Sequence, residues 1–135
     1  METFFRTGEM MQPYQPKRRT GPEAAIQTAI VNMLRNYGWY TMETHGNAYQ
    51  SGFPDIFACH SKYGTRWVEV KNPDAYGFTP AQLVHFPMMQ QNGSGVWILT
   101  AATKAEYDKL FEAPNWYMYL KNIRRYVNPR DPKPK

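Results

Sequence analysis

The sequence predicts one α/β domain, built from a central mixed β-sheet flanked by helices. Three observations predict it: the chain has 135 residues, apolar residues recur at helical spacing in separate segments, and short runs of strand-forming residues lie between them. This length fits one ordinary domain and leaves no room for a second core of similar size. We expect the domain over 21–128, between a flexible basic arm over 1–20 and a flexible basic tail over 129–135.

The elements are expected in the order α-β-β-β-α-β-α. The first helix is predicted from Pro22 to Tyr37, because apolar residues recur there every three or four positions and Gly38 supplies a stop. The second helix opens at Thr79-Pro80, and we expect Pro87 to divide it into two short pieces because proline removes a helical N–H. The strands are expected over 39–44, 55–60, 66–71 and 96–100, and the last helix over 103–111.

The charge of the chain predicts an anionic partner. Its formal net charge is +5, and a summed positive potential attracts polyanions such as DNA. Basic residues cluster on the two flanks of the domain, and we expect DNA contacts from Lys17, Arg18, Arg19, Arg124 and Arg125. The residues from 129 onward fit a solvated tail.

Two further features suit nucleic acid without requiring it. The segment 116–127 combines aromatic with basic residues, which fits base stacking, pairing of two subunits or plain core packing. Its secondary structure stays open between a strand pair and a short helix. His45 lies in a polar loop, where both a phosphate contact and solvation stay open, whereas His60 and His85 are interpreted as structural.

Composition excludes several classes of protein. No run approaches the roughly 20 apolar residues of a membrane helix, and the residues from Met1 to Gln15 lack the apolar stretch of a secretory signal. Cys59 is the single cysteine, which excludes an internal disulfide and fits a reducing cytoplasm. Gly93-Ser94-Gly95 lacks the ending of a Walker loop. We therefore expect a cytoplasmic protein with no membrane partner and no nucleotide cofactor.

Asp55, Glu69 and Lys71 are the residues that we expect to carry chemistry. Glu69 and Lys71 alternate along one predicted strand and share a face, while Val68 and Val70 point into the core. A suitable hairpin register brings Asp55 across from Glu69, and a shift of one residue would move it to the other face. Carboxylates can hold Mg²⁺ or Mn²⁺, and a nearby ammonium stabilises negative charge, as phosphodiester hydrolysis requires. The alternative for Lys71 is an exposed strand lysine.

These residues stand within a larger pattern. Gly52-Phe53-Pro54-Asp55, followed by Glu69-Val70-Lys71, resembles the PD-(D/E)XK nuclease signature. With Glu23-Ala24-Ala25-Ile26-Gln27 and Thr79-Pro80-Ala81-Gln82 added, the pattern is similar to one branch, the VRR-NUC family of virus-type replication and repair nucleases. The likeness runs from Glu23 to Gln82 and implies a restriction-endonuclease-like core.

The resemblance implies a DNA endonuclease that depends on Mg²⁺ or Mn²⁺. Asp55, Glu69 and the Val70 backbone carbonyl would bind the metal, and Glu23 would add an acidic ligand or a water contact. Lys71 would assist the nucleophile, and Gln82 would orient its neighbours. Stand-alone viral members imply Holliday junction resolution by a homodimer, in DNA recombination and repair within the cytoplasm of a host.

Glu23 and Gln82 also have a structural interpretation. Thr20-Gly21-Pro22-Glu23 and Thr79-Pro80-Ala81-Gln82 both fit the capping box, in which the residue three positions after the cap bonds back to the backbone. Thr103-Lys104-Ala105-Glu106 fits it too, although Glu106 belongs to no proposed site. The resemblance favours a ligand role for Glu23, and both alternatives stay open for Gln82.

Other functions are consistent with the sequence. A nuclease of the same superfamily could act on flaps, ends or single-stranded DNA. A nucleic-acid-binding accessory protein would bind through the basic flanks, with incidental carboxylates, and a structural virion component would show no salt-dependent affinity for DNA. Glu43 and Asp74 are further acids near the motif, and both are interpreted as solvated unless the fold places them beside Asp55.

Overall fold

The computed structural model describes residues 21–44 and 52–120, and the predicted order of helices and strands is confirmed. The elements are α1 (Pro22–Asn36), β1 (Tyr40–Glu43), β2 (Ile56–His60), β3 (Gly64–Val70), α2 (Pro80–Gln91), β4 (Val96–Leu99) and α3 (Lys104–Asp108). Two 3₁₀ helices follow, Lys109–Phe111 and Trp116–Tyr119. No helix of the described ranges is long and apolar enough to cross a membrane. The predicted arm, the predicted tail and residues 121–127 lie outside those ranges.

The strands form a mixed sheet, as predicted, in the order β1-β2-β3-β4. β1 pairs with β2 and β2 with β3 in antiparallel fashion, whereas β3 and β4 run parallel. Strands β2 and β3 form the predicted hairpin, in which His60 pairs with Gly64. A parallel pair needs a long crossover, and the segment that contains α2 provides it.

Each face of the sheet carries its own hydrophobic core. On one face, Ile30 and Leu34 of α1 pack with Val68 and Val70 of β3, and all four are fully buried. The other core contains Phe86, Val96, Ile98 and Trp116. Glu69 pairs with Ile98 in the sheet and therefore lies on this second face, under α2. The cover on both faces of the sheet is what buries Glu69 in β3.

Helix α2 corrects one prediction, because it runs from Pro80 to Gln91 without a break at Pro87. Proline removes only one helical hydrogen bond at this position. The helix is held at its start by a capping box between Thr79 and Gln82, and Phe86 is buried in the core beneath it. Tertiary packing therefore outweighs the local cost of the proline.

The chain beyond α3 closes the edge of the sheet at β4. The Asn115 side chain accepts from the N–H of Ile98 at 2.6 Å and donates to its carbonyl oxygen at 3.3 Å, in place of a neighbouring strand. Trp116 is 2% exposed and donates from Nε1 to Gln90 Oε1 at 2.7 Å. Two questions left open for 116–127 are therefore answered at Trp116. It lies in a short helix and not in a strand pair, and it packs in the core.

Candidate active site and metal centre

The hairpin register places Asp55 beside Glu69. Ile56 pairs with Val68, so the next position outward brings Asp55 opposite Glu69. The backbone N–H of Asp55 donates to Glu69 Oε1 at 3.2 Å, and Asp55 Oδ2 accepts from the N–H of Val70 at 2.8 Å. The register on which the predicted site depends is the one that forms.

A third carboxylate comes from the start of α1. Carboxylate oxygens of Glu23, Asp55 and Glu69 all lie within 4.8 Å of one another. Glu23 stands in the first turn of α1, Asp55 directly precedes β2, and Glu69 is the penultimate residue of β3. Three separate elements therefore meet at one end of the sheet, where Glu69 is 2% exposed and the other two acids are half-buried.

Lys71 is buried, which excludes the alternative of an exposed strand lysine. It directly follows β3 and is 5% exposed. Its Nζ donates to the Gly77 carbonyl oxygen at 2.7 Å and to Gln82 Oε1 at 3.1 Å, and it lies 3.1 Å from Glu69 Oε2. The Nζ atom is also 4.7 Å from the centroid of the Phe78 ring, a cation–π distance. These partners replace the water that the buried ammonium loses.

Gln82 both caps α2 and contacts site residues, the two alternatives that the sequence left open. Its Oε1 accepts from the N–H of Thr79 at 3.0 Å, and its own N–H donates to Thr79 Oγ1 at 3.1 Å, so the capping box is complete. Its Nε2 donates to Glu69 Oε2 at 2.8 Å. One side chain therefore caps α2 and contacts both Glu69 and Lys71.

The other two predicted capping boxes have different outcomes. The N-cap residue of α1 is Gly21, Thr20 lies outside the described residues, and Glu23 joins the carboxylate group. At α3, Thr103 accepts from the N–H of Glu106, but the carboxylate of Glu106 accepts from the N–H of Thr100. The capping-box pattern predicts where a helix starts better than it predicts the partner of the residue three positions after the cap. Tertiary neighbours compete for that side chain.

Gln27 is a buried polar residue near the site, and the sequence pattern predicted no role for it. It lies four residues after Glu23, is 2% exposed, and donates from Nε2 to Glu43 Oε1 at 3.4 Å. The spacing of four, which puts two helical side chains on one face, was the available signal. Glu43, which was expected to be solvated, is half-buried and accepts this hydrogen bond, whereas Asp74 is exposed as expected.

Six predicted DNA contacts lie outside the described residues and stay predictions: Lys17, Arg18, Arg19, His45, Arg124 and Arg125. The two histidines within the described ranges pack against aromatic rings. His60 contacts Trp39 and Tyr63, and His85 contacts Phe53. These contacts agree with a structural interpretation of both histidines.

Burial raises the pKa of Glu69 to about 8. Loss of solvation is the largest cause, followed by the negative charge of Asp55. The charge and hydrogen bond of Lys71 lower the pKa in part, and Glu23 raises it. The surroundings of Glu69 therefore disfavour its charged form, and a cation bound by these acids would favour that form.

The donor set fits a hard divalent cation. Mg²⁺ takes oxygen ligands at about 2.0–2.1 Å, which places neighbouring ligand oxygens roughly 3–4 Å apart. Carboxylate oxygens that already lie within 4.8 Å need only a small inward movement to reach that spacing. Glu23, Asp55 and Glu69 are therefore able to hold such an ion, and the Val70 carbonyl stays a predicted fourth ligand.

The raised pKa of Glu69 predicts that the metal-free protein loses stability as the pH rises. The folded state binds this proton more tightly than the unfolded state, so the stabilisation is complete below about pH 4.5 and is lost as the pH rises through about 8. We expect the urea midpoint to fall over this interval, and to fall less in Glu69→Gln, which cannot ionise. Mn²⁺ should raise the midpoint more at the alkaline end, because it competes with the proton. Equal pH dependence in the two proteins would contradict this.

Comparisons with known proteins address the fold. Neither a family model nor a curated protein matches the sequence. Among solved structures, the chain is similar to one described as a VRR_NUC domain, with a TM-score of 0.52 and 19% sequence identity over 67% of this chain and 95% of that chain. The chain has the fold of a VRR_NUC domain.

Within this VRR_NUC fold, the candidate site is assembled from both layers around the sheet. Helix α1 contributes Glu23, the hairpin contributes Asp55 and Glu69, and the start of α2 contributes Gln82. The likeness confirms the architecture that the sequence motifs imply. At 19% identity it establishes the fold, and the activity rests on the chemistry of these residues.

Proposed function

We propose that the protein is an endonuclease that hydrolyses phosphodiester bonds in DNA with the help of Mg²⁺ or Mn²⁺. The observation that carries the proposal is the group of three carboxylates beside a buried lysine, on the fold of a VRR_NUC domain. Burying Glu69 and Lys71 opposes stability, so their placement at one point favours a chemical role over a structural one. A protein that only bound DNA would need neither.

In the proposed site, Asp55, Glu69 and the Val70 carbonyl hold the cation, and Glu23 adds a ligand or a water contact. A bound divalent cation would supply an activated water and stabilise charge on the phosphate. Lys71 donates a hydrogen bond to the attacking water or to a phosphate oxygen, in exchange for one of its present acceptors. Gln82 orients Glu69 and Lys71 through the hydrogen bonds that it makes to each.

The proposed substrate is a four-way DNA junction, cut by a homodimer. Junction resolution needs two symmetric incisions, and a chain with one site meets that need most simply as a two-fold dimer. The basic residues from Lys17 to Arg19, together with Arg124 and Arg125, would supply salt-dependent contacts to phosphates. Such an enzyme would act in DNA recombination and repair, in the cytoplasm of a host cell if the protein is viral.

The proposal is tested with labelled four-way junction, flap, linear duplex and single-stranded DNA, each incubated with Mg²⁺, Mn²⁺ or a chelator. We expect paired symmetric nicks in the junction that the chelator abolishes. Asp55→Asn should also abolish them, because it removes a charged ligand at nearly constant volume. Asp108→Asn is the matched control, since Asp108 lies on the exposed side of α3 in an ion pair with Lys104.

Each other outcome decides against a part of the proposal. Metal-dependent cutting of flaps, ends or single strands would keep the chemistry and discard the junction as substrate. Salt-dependent binding of DNA without any cutting would leave a nucleic-acid-binding accessory protein. A protein that neither binds nor cuts DNA would be better explained as a structural component.

A further inference from the structure

Gly52 lies against helix α2 at a point where no side chain fits. Its φ is +88°, in the region that favours glycine. A Cβ atom here would stand 2.6 Å from His85 Cδ2, 2.8 Å from Ala81 Cβ and 3.0 Å from the carbonyl carbon of Ala81. Non-bonded carbon atoms pack at about 3.5–4.0 Å, so the backbone of Gly52 occupies a socket formed by Ala81 and His85.

The chain between Gly52 and Asp55 has little conformational freedom. Phe53 packs edge-on against His85 and Trp67, with ring centroids 5.9 Å and 6.0 Å away. Pro54 is buried, its ring fixes φ, and its carbonyl oxygen accepts from the Thr44 hydroxyl. A displacement at Gly52 therefore passes along a constrained tripeptide to Asp55.

The same part of α2 also holds Glu69. Gln82 stands between Ala81 and His85 in the sequence and donates to Glu69 Oε2 at 2.8 Å. Its capping box with Thr79 fixes the start of the helix. The first two turns of α2 therefore contact the segment that leads to Asp55 on one side and the carboxylate of Glu69 on the other.

We propose that the seating of Gly52 on Ala81 and His85 sets the distance between the carboxylates of Asp55 and Glu69, and so sets the affinity of the site for a divalent cation. In this arrangement His85 is a positioning residue, which acts through Gly52 and Phe53 without contacting the cation. The inference rests on the proposed function to the extent that the site binds Mg²⁺ or Mn²⁺. It assigns a functional reason to the glycine and the histidine.

The test compares Gly52→Ala with Gly64→Ala in the full-length protein. Gly64 has a similar φ of +82°, but a Cβ atom there would meet nothing within 4 Å. Both variants place a side chain at a similar positive φ, and only Gly52→Ala adds the collision with α2. We expect Gly52→Ala to weaken Mn²⁺ binding in calorimetry by about 10- to 100-fold, as loss of a group that orients metal ligands does. Gly64→Ala should bind Mn²⁺ as the wild type does.

The second test changes His85, the residue of α2 that lies against Gly52. His85→Ala leaves a gap beside Gly52 and Phe53 and should also weaken Mn²⁺ binding, whereas His85→Gln, which keeps most of the volume, should restore it. This pair decides the question if Gly52→Ala does not fold. The urea midpoint of His85→Ala, measured without metal, should show that the variant is folded at the start of the Mn²⁺ titration, so that weaker binding is not a loss of folded protein.

The outcomes separate this inference from the proposed function. If the wild type binds neither Mg²⁺ nor Mn²⁺, both are wrong. If the wild type binds Mn²⁺ and folded Gly52→Ala or His85→Ala binds it equally well, the inference alone is overturned.

Discussion

Replacement of Lys71 by methionine is expected to lower the rate of DNA cleavage by about 10²- to 10³-fold, the usual effect of removing one group that stabilises developing charge. Methionine is unbranched and of similar length, so it fills the space beside Phe78. A second effect adds to the first: Lys71 lowers the pKa of Glu69, so without it the carboxyl keeps its proton to higher pH and binds a cation less well. The measurement is the single-turnover rate across a titration of Mn²⁺.

Lys71→Met should destabilise the protein less than the burial of Lys71 suggests. Removing one partner of a buried ion pair typically costs about 3–5 kcal/mol, because the other charge is left unpaired. Here Glu69 can take up a proton, since its pKa is already raised to about 8. We therefore expect the variant to fold, which permits its rate to be interpreted.

Lys104→Met is the matched control for the loss of a lysine. Lys104 forms an exposed ion pair with Asp108 at 2.8 Å, four residues along α3. Solvent screens an exposed pair of this kind, so that it contributes little to stability, and activity and stability should stay close to those of the wild type. A folded Lys71→Met protein that cleaves DNA within about threefold of the wild-type rate would rule out the role given to Lys71.

Phe86→Ala is expected to cause a large loss of stability, about 3–5 kcal/mol, which is the usual effect of deleting a buried phenylalanine side chain. Phe86 is fully buried between α2 and the sheet, in the core that contains Ile98 and Trp116. Because a domain of this size has a total stability of about 5–15 kcal/mol, the urea midpoint should fall markedly. Chemical unfolding without metal measures the effect.

Val84→Ala on the same helix is the control for Phe86→Ala. Val84 is 59% exposed, and surface substitutions of this kind usually change stability by no more than about 0.5 kcal/mol. Similar losses in the two variants would show that α2 does not pack on the sheet as the structure describes.

The elements were predictable because their signals are local. The apolar period of α1, the stop at Gly38 and the run of strand formers in β4 each lie within one short segment. The pair of strands around Ser61–Gly64 was predictable as a hairpin for the same reason. Pro87 was misjudged, because its local effect on a helix is known but the packing that holds α2 together is not visible in sequence.

The site was predictable only in outline. A short motif located Asp55, Glu69 and Lys71, but the motif does not specify the hairpin register, and a one-residue difference would have separated Asp55 from Glu69. The sequence also left Lys71 open to an exposed position. Its burial depends on the Gly77 carbonyl and on Gln82, which reach it from a loop and from the start of α2.

The sequence by itself determined the type and order of the elements, the mixed sheet and the acidic and basic residues of the candidate site. Those features follow from periodicity and from motifs a few residues long. Only the tertiary structure decided that Glu23 joins the carboxylate group, that Gln82 contacts Glu69 while it caps α2, and that Gly52 seats on His85. Each of these contacts joins residues that are distant in the chain, and the packing of α1 and α2 against the sheet is what brings them together.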